Sequence, residues 1–279
     1  MTRFKAAIVQ MRSTVNPARN IADMEEMVRA AAGAGAQYVQ TPEMTGALVR
    51  DKEVFRANLR EEAEDPVVAA AARIAQDARI HLHIGSTAIL LDSGKVANRS
   101  FLFAPDGTLV TKYDKIHMFD VDLDNGESWR ESATYEPGSR CVVADLPWTR
   151  FGLAICYDVR FSALFRDQAL SGASVLTVPA AFTRQTGEAH WHVLLRARAI
   201  ENGAFVIAAA QGGTHEDGRE TYGHSLIVSP WGKIIAELDG DEPGFALAEI
   251  DPEESTAARR KVPNLKNTRA FDPTLPAAL

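Results

Sequence analysis

Cysteine is scarce: only Cys141 and Cys156 occur in 279 residues. Two thiols cannot staple a chain of this length, so the fold must rest on a hydrophobic core, and such sparing use suits a reducing compartment. Long apolar runs are missing as well. No stretch approaches the roughly 20 residues needed to span a bilayer, so no membrane partner is expected. Positive charge is in deficit, with 30 Lys and Arg against 37 Asp and Glu and a formal charge of −7. A chain without a positive field offers polyanions no long-range attraction, which argues against nucleic acid as a partner. The seven histidines include His81-x-His83 and His190-x-His192, but no His-Glu-x-x-His or Cys-x-x-Cys pair. Gly33-x-Gly35 lacks a third glycine and closes a helical pattern instead of opening one. No P-loop lysine motif occurs, and neither a metal nor an organic cofactor is expected.

What is present reads as a globular α/β protein. At 46% hydrophobic and 24% charged, the chain can bury a sizeable core, and its length fits one large domain over 1–279. The opening Met1-Thr-Arg-Phe-Lys5 meets Ala6–Val9 without a signal-length apolar region, which points to the cytoplasm. Strand periodicity over Phe4–Met11, Tyr38–Thr41 and Leu82–Leu91 alternates with helical spacing over Ile21–Ala31 and Pro66–Ala78. A hairpin follows around Pro105-Asp106-Gly107. A second round repeats the order: strand Phe151–Cys156, helix Phe161–Ala169, strand Ser174–Val178, helix His190–Asn202 and strand Phe205–Ala210. The hairpin around Ser229-Pro230-Trp231-Gly232 and the strand Phe245–Ile250 complete this second half. Two such halves predict sheets stacked face to face with helices outside. The stretch from Asp120 to Gly138 is long, polar and poor in period, as functional loops often are. The tail from Val262 has little core material and is expected to pack on a neighbouring subunit.

Three residues suggest chemistry. Cys156 closes an apolar strand and opens onto the polar turn Tyr157-Asp158-Val159-Arg160, whereas Cys141 lacks polar neighbours and reads as structural. Glu43 follows a short apolar strand, and Lys115 stands where the hairpin enters the long loop. Taken singly, each reads as an ordinary core or surface residue. Together they supply a nucleophile, a proton acceptor and a cation for a developing oxyanion.

The segments Pro42-Glu43, Tyr113-Asp-Lys115-Ile-His-Met-Phe119-Asp120 and Cys156-Tyr-Asp-Val-Arg160-Phe161 resemble the three signature regions of the carbon–nitrogen hydrolase (nitrilase) superfamily, in that family's order. The resemblance extends to Trp129-Arg-Glu131-Ser132, Ala181-Phe182-Thr183, Thr186-Gly187-x-Ala189-His190-Trp191, Tyr222-Gly-His-Ser225 and Pro230-Trp231-Gly232, nearly the whole chain. It implies a four-layer α-β-β-α sandwich, usually paired into a homodimer or larger homo-oligomer. It further implies Cys156 as nucleophile held toward thiolate by Lys115 and Glu43, Glu43 as general base, and Lys115 as oxyanion stabiliser. Glu131 would be a second glutamate beside the lysine, with Glu127, one helical turn away, as the alternative.

Within the family the chain is most similar to the branch acting on deaminated glutathione, a small amide carrying several carboxylates. An ω-amidase acting on α-ketoglutaramate and an N-carbamoyl amino acid amidohydrolase stand behind it. Phe119, Tyr157, Phe182 and Thr183 are then expected at the substrate, with Arg160 and Arg184 as candidates to grip a carboxylate. Arg160 is equally readable as a structural partner of Asp158 or Glu131. The pattern departs at Ser162-Ala163, where relatives commonly have Pro-Glu, so the rim of the pocket differs there. The alternative of another class is a non-catalytic binding protein on the same fold.

Overall fold

A computed structural model describes residues 2–122, 126 and 128–272. The first half runs β1 (Phe4–Gln10), α1 (Pro17–Gly33), β2 (Tyr38–Gln40), α2 (Lys52–Asn58), α3 (Pro66–Ala78), β3 (His81–Leu90), β4 (Val96–Phe103) and β5 (Leu109–Asp114). A small ribbon, β6 (Asp120–Asp122) with β7 (Ser128–Arg130), leads into the second half. That half runs β8 (Val142–Asp145), β9 (Arg150–Leu153), α4 (Ser162–Leu170), β10 (Ala173–Thr177), α5 (Arg184–Asn202) and β11 (Phe205–Ala208). It ends with β12 (Gly212–Thr214), β13 (Glu220–Tyr222), β14 (Leu226–Val228), β15 (Ile234–Glu237), β16 (Gly244–Ile250) and α6 (Pro252–Lys261).

Two six-stranded sheets result, in the orders β16-β1-β2-β3-β4-β5 and β15-β14-β11-β10-β9-β8. In each, the βαβ crossovers make the central three strands parallel, and antiparallel strands flank them. Period-2 alternation on β1 builds the layers. Phe4, Ala6 and Ile8 enter the core shared with Phe151, Leu153 and Val206 of the second sheet, while Ala7 and Val9 pack with Met24 and Val28 of α1 and Ile74 of α3. Helices α4 and α5 cover the opposite side through Phe165, Trp191 and Leu195. The chain is thus an α-β-β-α sandwich.

Local chemistry explains the boundaries. Asp65 caps α3 by accepting from Val67 N and Val68 N at 2.9 and 3.0 Å, Pro66 occupies the first turn, and Arg79 ends the helix in the left-handed region. Helix α5 starts at Arg184, six residues before the sequence reading, capped by Thr183. Its early turn hides Gly187, where a Cβ would lie 2.2 Å from the Tyr222 side chain, so the glycine serves close approach and disguises the helical pattern.

One expectation is corrected. The strand ending the chain's sheet-forming part does not complete the second half. Instead β16 returns to pair antiparallel with β1, from Phe4↔Ile250 to Gln10↔Gly244. The segment after Cys141, assigned no element from the sequence, forms β8 at the edge of the second sheet. Beyond Val262 the described tail lies on its own chain: Asn264 donates to the Glu201 carbonyl and Arg166 to the Leu265 carbonyl. Residues 273–279 fall outside the described part.

The sheets are also joined by buried polar contacts. Gln40 Oε1 accepts from Ala209 N at 2.9 Å, and Gln10 Oε1 accepts from both N and Oγ of Ser225 at 2.9 Å. These direct bonds fix how the first sheet sits over the second, and therefore how groups at their strand ends face one another.

Candidate active site

Strand β2 ends at Gln40 and delivers Glu43 two residues past Thr41. Gly85 on β3 makes this turn possible, since a Cβ there would lie 2.3 Å from the Thr41 carbonyl oxygen and 2.5 Å from the Pro42 carbonyl carbon. The register of β3 against β4 shifts between Ile84 and Thr87 at the same place. Lys115 follows β5 directly. Cys156 begins a single 3₁₀ turn, Cys156–Arg160, three residues after β9. Its φ of 50° is in the left-handed region, as is the 55° of Met44 beside Glu43. For side chains with a Cβ such backbone costs on the order of 1–3 kcal/mol, and the surrounding structure must hold it. Here Cys156 N donates to the Pro179 carbonyl at 2.9 Å and Asp158 secures the turn.

Asp158 is fully buried. Its Oδ2 accepts from Tyr113 OH at 2.7 Å and Ile155 N at 2.9 Å, and its Oδ1 faces His117 N at 3.0 Å and His117 Nδ1 at 2.7 Å. The carboxylate thereby ties the cysteine turn to the segment that carries Lys115.

The four residues expected at the centre converge. Lys115 Nζ donates to Glu43 Oε1 at 2.9 Å and to both Glu131 oxygens at 3.0 and 2.9 Å. Glu43 Oε2 accepts from Ala181 N at 2.9 Å, and Cys156 shares the cavity wall with Glu43. Asn98, on β4, donates from Nδ2 to Glu43 Oε1 at 2.9 Å and to Glu131 Oε1 at 3.2 Å. Glu131 Oε2 also accepts from Phe119 N at 2.6 Å. Glu127 lies outside the described residues.

Burial and pairing compete at every group. Burial opposes the charge on Glu43, but Lys115, the thiol and Asn98 outweigh it and hold the carboxyl below its ordinary range. Burial likewise opposes the ammonium of Lys115, and Glu131 and Glu43 reverse this, raising its pKa well above that of a free lysine. Cys156 goes the other way. Burial first, and the Glu43 charge second, push its pKa well above the usual thiol value despite Lys115. Burial and Glu43 thus favour the neutral thiol, while Lys115 favours the thiolate.

These groups open onto a cavity of about 430 Å³. Phe119, Tyr157, Phe182 and Thr183 line it, as expected from the sequence. Neither candidate arginine is among its lining residues. Arg160 lies over the Tyr157 and Phe182 rings at 5.7 and 5.4 Å and donates to His190 Nδ1, pairing with neither Asp158 nor Glu131. Arg184 is held by Asp241 at 2.7 Å and Glu220 at 3.5 Å. The cavity wall instead carries Arg50, Tyr135 and Arg219, none of which the sequence reading selected. Asn98 was also missed, although a polar residue inside the apolar strand β4 was a usable signal.

Comparison with known proteins agrees with this architecture. The carbon-nitrogen hydrolase family profile matches residues 5–260. The chain is 39% identical over 277 residues to the deaminated glutathione amidase of Synechocystis sp., covering 96% of this chain and 98% of that one. It is 33% identical over 270 residues to the omega-amidase NIT2 of Homo sapiens, covering 97% and 96%. Among solved structures, Nit3 of Saccharomyces cerevisiae, a member of branch 10 of the nitrilase superfamily, matches with a TM-score of 0.84 and 30% identity over 94% of each chain. With the fold, the converging groups and full-length similarity in agreement, the chain belongs to the carbon–nitrogen hydrolase family of the nitrilase superfamily.

Proposed function

We propose that the protein is an amidase that cleaves the amide bond of deaminated glutathione through a thioester on Cys156. The observation that carries this reading is the convergence of Glu43, Lys115 and Cys156 on one cavity wall, with the Glu43 carboxylate 2.9 Å from the Lys115 ammonium. Glu43 accepts the thiol proton as sulfur attacks the amide carbon. Lys115 and the N–H of Tyr157 hold the resulting oxyanion, a contribution of about 3 kcal/mol per donor. Glu43 returns the proton to the leaving nitrogen as the C–N bond breaks and the thioester forms. A water that gives its proton to Glu43 then attacks the thioester, releasing the acid and restoring the thiol. Glu131 and Asn98 keep Lys115 and Glu43 in place throughout.

The choice of substrate rests on the full-length relative that bears that name and on the cavity. Its wall extends from Cys156 to Arg50, Phe55 and Trp129, room for an acid of tripeptide length. Incubation with deaminated glutathione and α-ketoglutaramate in parallel tests it, 2-oxoglutarate being the product of both. Cysteinylglycine from the first at the higher kcat/KM is the expected result. Faster release of ammonia from the second would make the protein an ω-amidase. Cys156→Ala and Glu43→Gln should reduce turnover to background with unchanged circular dichroism, and wild-type rate in either refutes the mechanism.

For assembly we propose a homodimer through α5. Val193, Ile200 and the neighbouring Trp231 are 68%, 53% and 64% exposed, an apolar face suited to a second copy. A cytoplasmic location is proposed on the sparing use of cysteine.

A further inference from the structure

Arg219 stands apart from the other arginines around the cavity. It follows Gly218 in the turn between β12 and β13, and its side chain is only 16% exposed. Its guanidinium carbon lies over the Trp129 ring, 4.7 Å from the centroid. A buried guanidinium normally meets carboxylates or carbonyls with all its N–H groups. Among the described residues, Arg219 Nε has no hydrogen-bond partner, and its one ion-pair partner, Asp217, is 3.5 Å away. Burial accordingly pulls its pKa below that of a free arginine.

Tyr135 repeats the pattern beside it. Among the described residues its hydroxyl reaches only the Met44 sulfur, at 3.9 Å, a weak acceptor, and it lines the same cavity. Arg50 lies over the same Trp129 ring, 5.1 Å from its centroid. By contrast, the lining residue Arg130 is bound to Asp122 at 2.8 Å, and Lys115 is neutralised by Glu43 and Glu131. Among the described residues, the wall that includes Arg219, Tyr135 and Arg50 therefore has donors without a strong partner, in the same cavity as the thiol.

We propose that Arg219, with the Tyr135 hydroxyl, binds a carboxylate of the substrate and so makes the enzyme select amides of acids over neutral amides. This rests on the amidase reading above and names the group that recognises the acid. A carboxylate supplies two acceptors in the plane a guanidinium presents, and Tyr135 adds a third donor. Arg219 acts on binding, away from the bond that breaks, so it governs KM more than kcat.

Succinamate and butyramide separate the effect, because they differ in a carboxylate against a methyl group at the same chain length. The wild-type enzyme should prefer succinamate. In Arg219→Gln the ratio of kcat/KM for succinamate to that for butyramide should fall about 30-fold, mostly through KM, and Arg219→Lys should fall between the two. Tyr135→Phe should lower the ratio by a smaller factor. An equal loss on both substrates, leaving the ratio unchanged, would mean a structural role and overturn the proposal, as would a wild-type enzyme indifferent to the carboxylate. Binding is read separately by calorimetric titration of 2-oxoglutarate into Cys156→Ala, with and without Arg219→Gln. A Kd raised about 30-fold by the second substitution supports the proposal, and an unchanged Kd overturns it. Because this arm needs no turnover, loss of the amidase reading and loss of the carboxylate site give different results.

Discussion

Asp158 Oδ1 accepts from the main-chain N–H of His117 at 3.0 Å and lies 2.7 Å from its ring Nδ1. Two residues beyond Lys115 and two beyond Cys156, this contact sets the lysine segment against the cysteine turn. Asp158→Asn replaces two acceptor oxygens by one and puts an N–H₂ among donors. It should lower stability by about 3 kcal/mol and kcat by about tenfold or more. Tyr113→Phe, which removes one of the four contacts, should cost about 1 kcal/mol. Denaturant melts and kcat for both variants measure this, and an Asp158→Asn protein indistinguishable from wild type would show that the turn holds itself.

Glu131 offers a different test, because it touches the lysine at both oxygens and is remote in sequence from the other groups. In Glu131→Gln the ammonium keeps only Glu43 as a charged partner. We expect kcat to fall about 100-fold with KM changed little, since the lost alignment matters most when the oxyanion forms. The wild-type kcat/KM profile should be flat through neutrality. Glu43 stays ionised below the ordinary carboxylate range and Cys156 stays protonated above the ordinary thiol range, so both limbs lie outside it. An acid limb above about pH 5 would contradict that assignment.

His83 links acid to stability. Burial between the sheets, with Tyr38 OH and Ser100 Oγ each 2.6 Å from its ring nitrogens, drives its pKa down to about 3. Unfolded, the imidazole takes up a proton near its ordinary 6.5. Between those values the unfolded chain binds the extra proton, so stability is fully present at neutral pH and is lost as pH falls below 6.5. This group alone should remove about 3 kcal/mol between pH 7 and pH 4. His83→Gln should flatten that part of the curve in urea titrations at several pH values. An identical slope in the variant would place the acid sensitivity elsewhere.

The sequence disclosed those parts of the molecule that leave a local trace. Helix α3 shows its start, because Asp65 and Pro66 begin it. Glu43 and Cys156 are legible because each follows an apolar strand, and Lys115 only in company with them and with the segment that carries it. Groups recruited over long chain distances left less. Arg219 is one charged residue in a polar turn, and only the folded arrangement brings it over Trp129 and into the cavity. Arg160 and Arg184 were singled out by nearness to Cys156 and Phe182 along the chain, and the fold sets Arg160 over the Tyr157 and Phe182 rings and Arg184 against Asp241 and Glu220. The strand Gly244–Ile250 gave its own identity but not its partner, because apolar alternation records which face is buried and not which sheet is joined.

That last partnership has a mechanical meaning. The chain's final sheet strand is laced to its first, a closure that, with the polar bonds between the sheets, clasps carboxylate and ammonium from one half to sulfur from the other. Neither half owns a finished edge or a working set of reactive groups. Strain that unpicks the β16 seam would disarm the enzyme while most of its secondary structure stood, and catalysis should fade before the global melt.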